Sequence, residues 1–145
     1  MATRYSHILL ATDLLDDNAV VMERAGELVI HYGSQLSVLY VVESVPIYFG
    51  NELVLPEMQS IEAQLAEAAK EKMVTVAQKL GIAVDRCHVV IGVTKLEILS
   101  FAEKQQVDLI VIGSHSRRGL ERLLGSTARA VLNSAPCDVL AMKIK

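Results

Sequence analysis

The residues with the most chemical potential lie in one stretch. It runs Gly113-Ser114-His115-Ser116-Arg117-Arg118-Gly119 and continues through 120–124 to Gly125-Ser126-Thr127. Gly113 lets a backbone leave a strand in a tight turn. Gly125-Ser126-Thr127 offers amides and hydroxyls at a helix start, where unpaired N–H groups and the helix dipole stabilise an anion. Arg117, Arg118, Arg122 and Arg129 add positive charge, so the chemistry is that of a phosphate site. Ser126 or Thr127 as an ordinary N-cap, with Gly125 as a turn residue, explains the same letters without a ligand, and both readings stand. Asp13 is a second candidate, either a ligand-facing carboxylate or a plain turn acid. His115 has no nucleophile paired with it and reads as a solvated side chain. His7 and His88 fall in apolar runs, while His31 falls at a helix end where positive charge suits the dipole. No two of the four histidines have metal-ligand spacing. Cys87 and Cys137 form no C-x-x-C pair and read as reduced core thiols.

The chemistry that is missing is as informative. There is no G-x-x-x-x-G-K-[ST], no lysine placed for β- and γ-phosphates and no His-x-Gly-His after the first apolar run, so efficient phosphoryl or nucleotidyl transfer lacks its positioned charges. A phospho-accepting receiver needs an acid at the end of the third strand, where this chain has Val90-Ile91-Gly92.

The elements that must position these residues follow from the apolar pattern. Five short runs stand out: HILLAT at 7–12, LSVLYVV at 36–42, CHVVIG at 87–92, DLIVIG at 108–113 and CDVLAMKI at 137–144. Their apolar residues are consecutive instead of alternating, as expected of parallel strands covered on both faces. Between them, Met58, Ile61, Leu65, Ala69, Met73, Val76 and Leu80 recur at helical steps, predicting an amphipathic helix over 57–80 that stops at Gly81. A helix over about 18–32 has Asp16, Asp17 and Asn18 as candidate caps and Gly33 as terminator. A third starts at Thr94, where Thr94-Lys-Leu-Glu97 has capping-box spacing, and turns Leu96, Leu99 and Phe101 to the core. A fourth starts at Ser126 or Thr127 and stops before Pro136. Strand and helix alternate throughout, which predicts a doubly wound α/β domain. Its ligands would lie beyond the carboxyl ends of the strands, where strand order reverses. The long irregular segment is 43–56, with two prolines and two of the six Phe and Tyr residues, and could form a lid or a partner surface.

Composition narrows the partners. The 145 residues are 52% hydrophobic and 21% charged, which fits one packed domain spanning 1–145. A net charge of −3 supplies no basic field for nucleic acid. The longest apolar runs are far shorter than the roughly 20 residues of a membrane span. The apolar stretch of the opening MATRYSHILLATD is too short for a signal-peptide core, so the expected location is the cytoplasm.

The chain resembles the universal stress protein family over essentially all its length. YSHILLATDLLDD is similar to the family's first strand and acidic turn, VDLIVIGSHSRRGLERLLGSTARAVL to its most characteristic segment, and APCDVLAMK to its final strand. Nucleotide-binding members carry G-x2-G-x9-G-[ST] after the fourth strand. The matching stretch here is Gly113-x2-Ser116-x8-Gly125-Ser126, with Ser116 in place of the middle glycine and a loop one residue shorter. The resemblance implies a Rossmann-like, five-stranded parallel sheet in the order 3-2-1-4-5 with helices on both faces. It implies a stress-response binding protein that dimerises through the fifth strand around Val139 and Ala141, and the missing catalytic motifs argue against an enzyme. The family's site for ATP with magnesium, with Ser116 and the shorter loop weakening it, leads to an expectation of weak binding. Asp13 would lie near the ribose or the phosphates and metal, and the Val41 backbone would read adenine. Gly113, Ser114, Ser116, Gly125, Ser126 and Thr127 would hold ribose and phosphates. The alternative from the same architecture is a slow ATPase or another nucleotide-dependent enzyme.

Overall fold

The structure, a computed structural model, describes residues 4–14, 19–44, 48–49, 52–53, 55–113 and 125–143. In chain order the elements are β1 (His7–Ala11), α1 (Ala19–Tyr32), β2 (Gln35–Glu43), β3 (Tyr48–Phe49), β4 (Glu52–Leu53), α2 (Leu55–Leu80), β5 (Cys87–Gly92), α3 (Thr94–Lys104), β6 (Leu109–Gly113), α4 (Ser126–Ser134) and β7 (Asp138–Met142). Five strands form one sheet in the order β5-β2-β1-β6-β7, every pairing parallel. Counted along the main sheet this is the expected order 3-2-1-4-5.

Each central strand is apolar on both faces because both faces are covered. Ile8, Leu10, Leu36, Val38, Leu109 and Val111 pack with Val21 and Ala25 of α1 and with Met73 and Val76 of α2. The alternate residues Leu9, Ala11, Leu39, Val41, Ile110 and Ile112 pack with Ile98 and Ala102 of α3 and with Ala128 and Val131 of α4. Helices α1 and α2 thus cover one face and α3 and α4 the other. Cys87 and Cys137 fall at opposite edges as free, half-buried thiols, and burial pushes both up from the usual thiol range.

At the amino ends of the strands, polar side chains fasten β1. Asp108 Oδ2 accepts from the amides of Ser6 and His7, each at 2.9 Å, and the Asp108 amide donates to the His7 carbonyl at 2.8 Å. The His7 ring nitrogens lie 3.1 Å from the Gln105 carbonyl and 2.7 Å from Ser37 Oγ. A carbonyl can only accept, so Nδ1 donates to it and, in the neutral ring, Nε2 accepts from the Ser37 hydroxyl. His88 stacks at a tilt on Phe101, and desolvation pulls it below the usual imidazole range. These histidines are structural, as their place in apolar runs suggests.

Three expectations are corrected. The apolar stripe of α2 is buried only in part: Ala66, Ala69, Met73, Val76 and Ala77 are covered, while Ile61 and Leu65 are 58% and 52% exposed. The helix starts at Leu55, and 26 residues at 1.5 Å each make about 39 Å, longer than the strands beneath it. On α3 the core takes Ile98 and Ala102, with Phe101 half-buried and Leu96 57% exposed. The segment 43–56 is not one irregular connection: Glu43 ends β2, β3 and β4 pair as a small antiparallel hairpin, and α2 has begun by Leu55. The candidate caps Asp16, Asp17 and Asn18 lie outside the described residues.

Candidate functional site at the carboxyl edge of the sheet

Strand order reverses between β1 and β6. After β1 the chain turns to the α1 face, and after β6 the next described helix, α4, covers the other face. Beyond Ala11 and Gly113 lies the switch point, the position at which open α/β sheets form a ligand-binding crevice. The β1 side of it is held in a strained turn. Leu14 has φ +62°, a left-handed conformation that an apolar L-residue resists, and its amide donates to Thr12 Oγ1 at 3.0 Å. Thr12 is buried and its own amide donates to the Leu39 carbonyl at 3.0 Å. Asp13 sits between them, half-buried, on the rim of the crevice. Nothing in the letters Thr12-Asp13-Leu14 announces that positive φ.

Strand β2 runs on past the end of β1. The Gln35 amide donates to the Ser6 carbonyl and the Leu39 carbonyl accepts from Thr12, whereas the Ser44 amide donates to the Gly92 carbonyl of β5. Odd residues of β2 therefore direct their backbone groups towards β1 and even ones towards β5. Pairing with β1 stops at Ala11 opposite Leu39, so Val41, the next odd residue, directs its N–H and C=O to the space beyond β1. This is where a base-reading backbone would have to be.

Two helices begin at this edge. For α4 the N-cap is Gly125, at φ −59° and ψ 153°, with no side-chain capping bond and no acid in the first turn. Gly125 is buried and Ser126 exposed. The reading of Ser126 or Thr127 as N-cap is thus corrected: both lie inside the first turn, and their hydroxyls are not the cap. A helix start with neither a capping side chain nor an acid fits an anion better than one already neutralised. For α3 the N-cap is Val93, also without a side-chain bond of its own, so the Thr94-x-x-Glu97 capping box does not form. Instead Glu43, from the end of β2, accepts from the Thr94 amide at 2.8 Å and from the Thr94 hydroxyl. Glu97 folds back over Gly92, where a Cβ would meet Glu97 Oε1 at 2.6 Å. Glu43 is the contributor that sequence reasoning missed.

The structure thus brings Asp13, the Val41 backbone, Gly113, Gly125, Ser126 and Thr127 to one edge of the sheet. Ser114, Ser116, His115, Arg117, Arg118 and Arg122 lie outside the described residues. Arg129 is an exposed side chain on α4. Among the described residues no group of three His, Cys, Asp or Glu side chains could hold a metal ion, and no helix is long and apolar enough to cross a membrane.

A five-stranded parallel sheet wound on both faces, with its switch point between β1 and β6 and the start of α4 at the same edge, defines a doubly wound α/β protein of the Rossmann-like class. Within that class, the profile of the universal stress protein family matches residues 4–143, and the chain belongs to that family. It is 41% identical over 143 residues to universal stress protein A homolog 2 of Coxiella burnetii, covering 97% of each chain. Its fold is similar to that of the universal stress protein UspA from Lactobacillus plantarum, with a TM-score of 0.83 at 25% identity over 99% of this chain and 100% of that one. A universal stress protein solved in complex with cAMP is similar in fold, with a TM-score of 0.69 at 19% identity over 98% and 99% of the two chains.

Proposed function

We propose that this chain is a cytoplasmic stress-response binding protein that takes an adenine nucleotide weakly at the crevice between β1 and β6 and does not turn it over efficiently. The observation that carries the reading is the pairing of two features across one crevice: the Val41 backbone directed past the end of β1, and the side-chain-free start of α4 at Gly125. The cAMP complex of a protein of similar fold supports a nucleotide as the ligand. Asp13 faces the ribose, or the phosphates with magnesium. Gly113, Ser114, Ser116, Gly125, Ser126 and Thr127 hold ribose and phosphates through amides and hydroxyls.

Ser116 and the shortened loop weaken the grip, since a side chain stands where a glycine would let backbone approach a phosphate. Titration calorimetry with ATP and magnesium tests this. The parent should bind weakly and Asp13→Ala should not bind. Ser116→Gly should gain at most about 1–3 kcal/mol, the usual cost of local backbone strain. No heat from either the parent or Ser116→Gly would make the crevice a remnant.

The protein acts as a homodimer through β7. This edge strand pairs with β6, and its residues Val139, Leu140, Ala141 and Met142 are half-buried. An apolar edge with open backbone groups invites pairing, and antiparallel contact about a two-fold axis makes it isologous. Val139→Lys or Ala141→Lys should sediment as a monomer; a persistent dimer would assign the contact to another surface.

A further inference from the structure

The geometry assigns to Glu43 the role of a positioning residue for the base-reading end of the crevice, acting through its two bonds to Thr94. This inference rests on the nucleotide reading above and adds a determinant of which base is held. The part of β2 that outlasts β1, from Tyr40 onward, has no strand beside it on the β1 side. Its other side is paired with β5 as far as Glu43 opposite Gly92, so the ladder fixes its path within the sheet, and what remains to be set is how the strand end stands against α3.

Two consecutive residues add anchors to that ladder. Glu43 reaches across the α3 face and accepts from both the amide and the hydroxyl of Thr94, joining the strand end to the first turn of α3. Ser44 turns the other way: its amide donates to the Gly92 carbonyl at 2.8 Å and its hydroxyl to Glu62 Oε1 of α2 at 3.0 Å. The end of β2 is thereby tied to α3, β5 and α2 at once. Of these ties, the Glu43 bonds lie on the face of the strand that also buries Val41, two residues away, so they add to the β5 ladder in holding that end of the strand against α3. The carboxylate also occupies the positive end of α3, which leaves that helix start closed to a phosphate and α4 as the place for one.

A positioning role of this kind alters the choice of base more than the grip on phosphates. A backbone N–H and C=O held at fixed positions suit the donor and acceptor pattern of adenine and mismatch that of guanine. The experiment compares ATP and GTP binding by calorimetry, with magnesium, in the parent, Glu43→Ala, Glu43→Gln and Thr94→Val. The parent should prefer ATP. Glu43→Ala should lose about three- to tenfold in ATP affinity with GTP affinity little changed, a loss below about 1.4 kcal/mol. Glu43→Gln keeps an acceptor for the Thr94 donors and should restore most of the preference, and Thr94→Val should lie between. If Glu43→Ala weakens ATP and GTP equally, or leaves both unchanged, the positioning role is overturned while the crevice stands. A parent that binds ATP and GTP alike overturns the role as well. A parent that binds neither overturns the nucleotide reading, and this inference with it. Should Glu43→Ala fail to fold, Thr94→Val and Glu43→Gln decide the question by the same ratio.

Discussion

Helices α3 and α4 enter the same edge of the same sheet on the same face, yet their starts are closed in opposite ways. At α3 the positive end holds the Glu43 carboxylate, and Glu97 follows in the first turn. At α4 the cap is a glycine and the first turn carries no acid. The two starts have the same intrinsic appetite for an anion, because both expose amides that have no partner within the helix. At α3 the protein supplies the anion itself; at α4 none of the described residues does. At α3 the fold spends a helix dipole on its own stability, and the proposed nucleotide reading gives the one at α4 to a ligand.

The most disruptive way to test the contrast is to make α4 resemble α3. Gly125→Asp places a carboxylate at the cap, and nothing in the backbone forbids it, since φ −59° is open to any residue. A like charge set against the phosphates costs several kcal/mol, so ATP affinity should fall by about a hundredfold or more. Circular dichroism and a thermal melt should show the fold intact. Undiminished ATP binding by a folded Gly125→Asp would remove α4 from the site.

The reverse change, opening α3, should have a smaller effect that falls on stability. Glu43→Ala removes the charge at that helix start and two accepted hydrogen bonds at an exposed position, a loss of about 1 kcal/mol. For a chain of this size that is a melting temperature lower by about 3 °C. The deficit should shrink at high salt, where an exposed charge on a helix dipole is screened. An unchanged melting temperature would mean that the bonds to Thr94 orient the strand end without stabilising it.

These two helix starts also mark the limit of what the sequence discloses. The strands are legible because burial on both faces leaves unbroken apolar runs, and α1 and α2 end at the glycines expected of them, Gly33 and Gly81. The edge at which the site is expected is legible because Gly113 and Gly125-Ser126 flag tight turns near a helix start. Glu43 is not, because its partner Thr94 lies 51 residues away and the local spacing Thr94-x-x-Glu97 offers a self-contained cap that competes with it on paper. The long-range carboxylate displaces the local one. The exposure of Ile61 and Leu65 is illegible for a related reason: periodicity reports which side of a helix is apolar, while the length of the sheet beneath decides how far along the helix that side is covered. The left-handed Leu14 leaves no trace at all, since only tertiary context holds an apolar residue there.

The other end of α3 gives the finest comparison. Helices α1 and α2 finish on left-handed glycines, Gly33 at φ +65° and Gly81 at φ +68°, but α3 finishes on Gln106 at φ +54°. The bonding there is that of a Schellman motif: the Val107 amide donates to the Ala102 carbonyl at 2.9 Å and the Gln106 amide to Glu103 at 3.4 Å. Val107 and Ala102, both buried in the α3 face of the core, add the apolar contact that accompanies the motif. With the bonds and the contact in place, the glutamine side chain is the one element that departs from the pattern. An L-residue in this conformation costs about 1–2 kcal/mol. Glycine would remove that strain at an entropic cost of about 0.5–1 kcal/mol. Gln106→Gly should therefore gain roughly half to one kcal/mol and melt about 2–3 °C higher. Gly81→Ala should move the other way: open space surrounds the site of its missing Cβ, so the penalty there is conformational alone. If Gln106→Gly melts lower than the parent, the glutamine side chain is holding the end of α3, and the strain at its φ is offset by contacts that glycine cannot make.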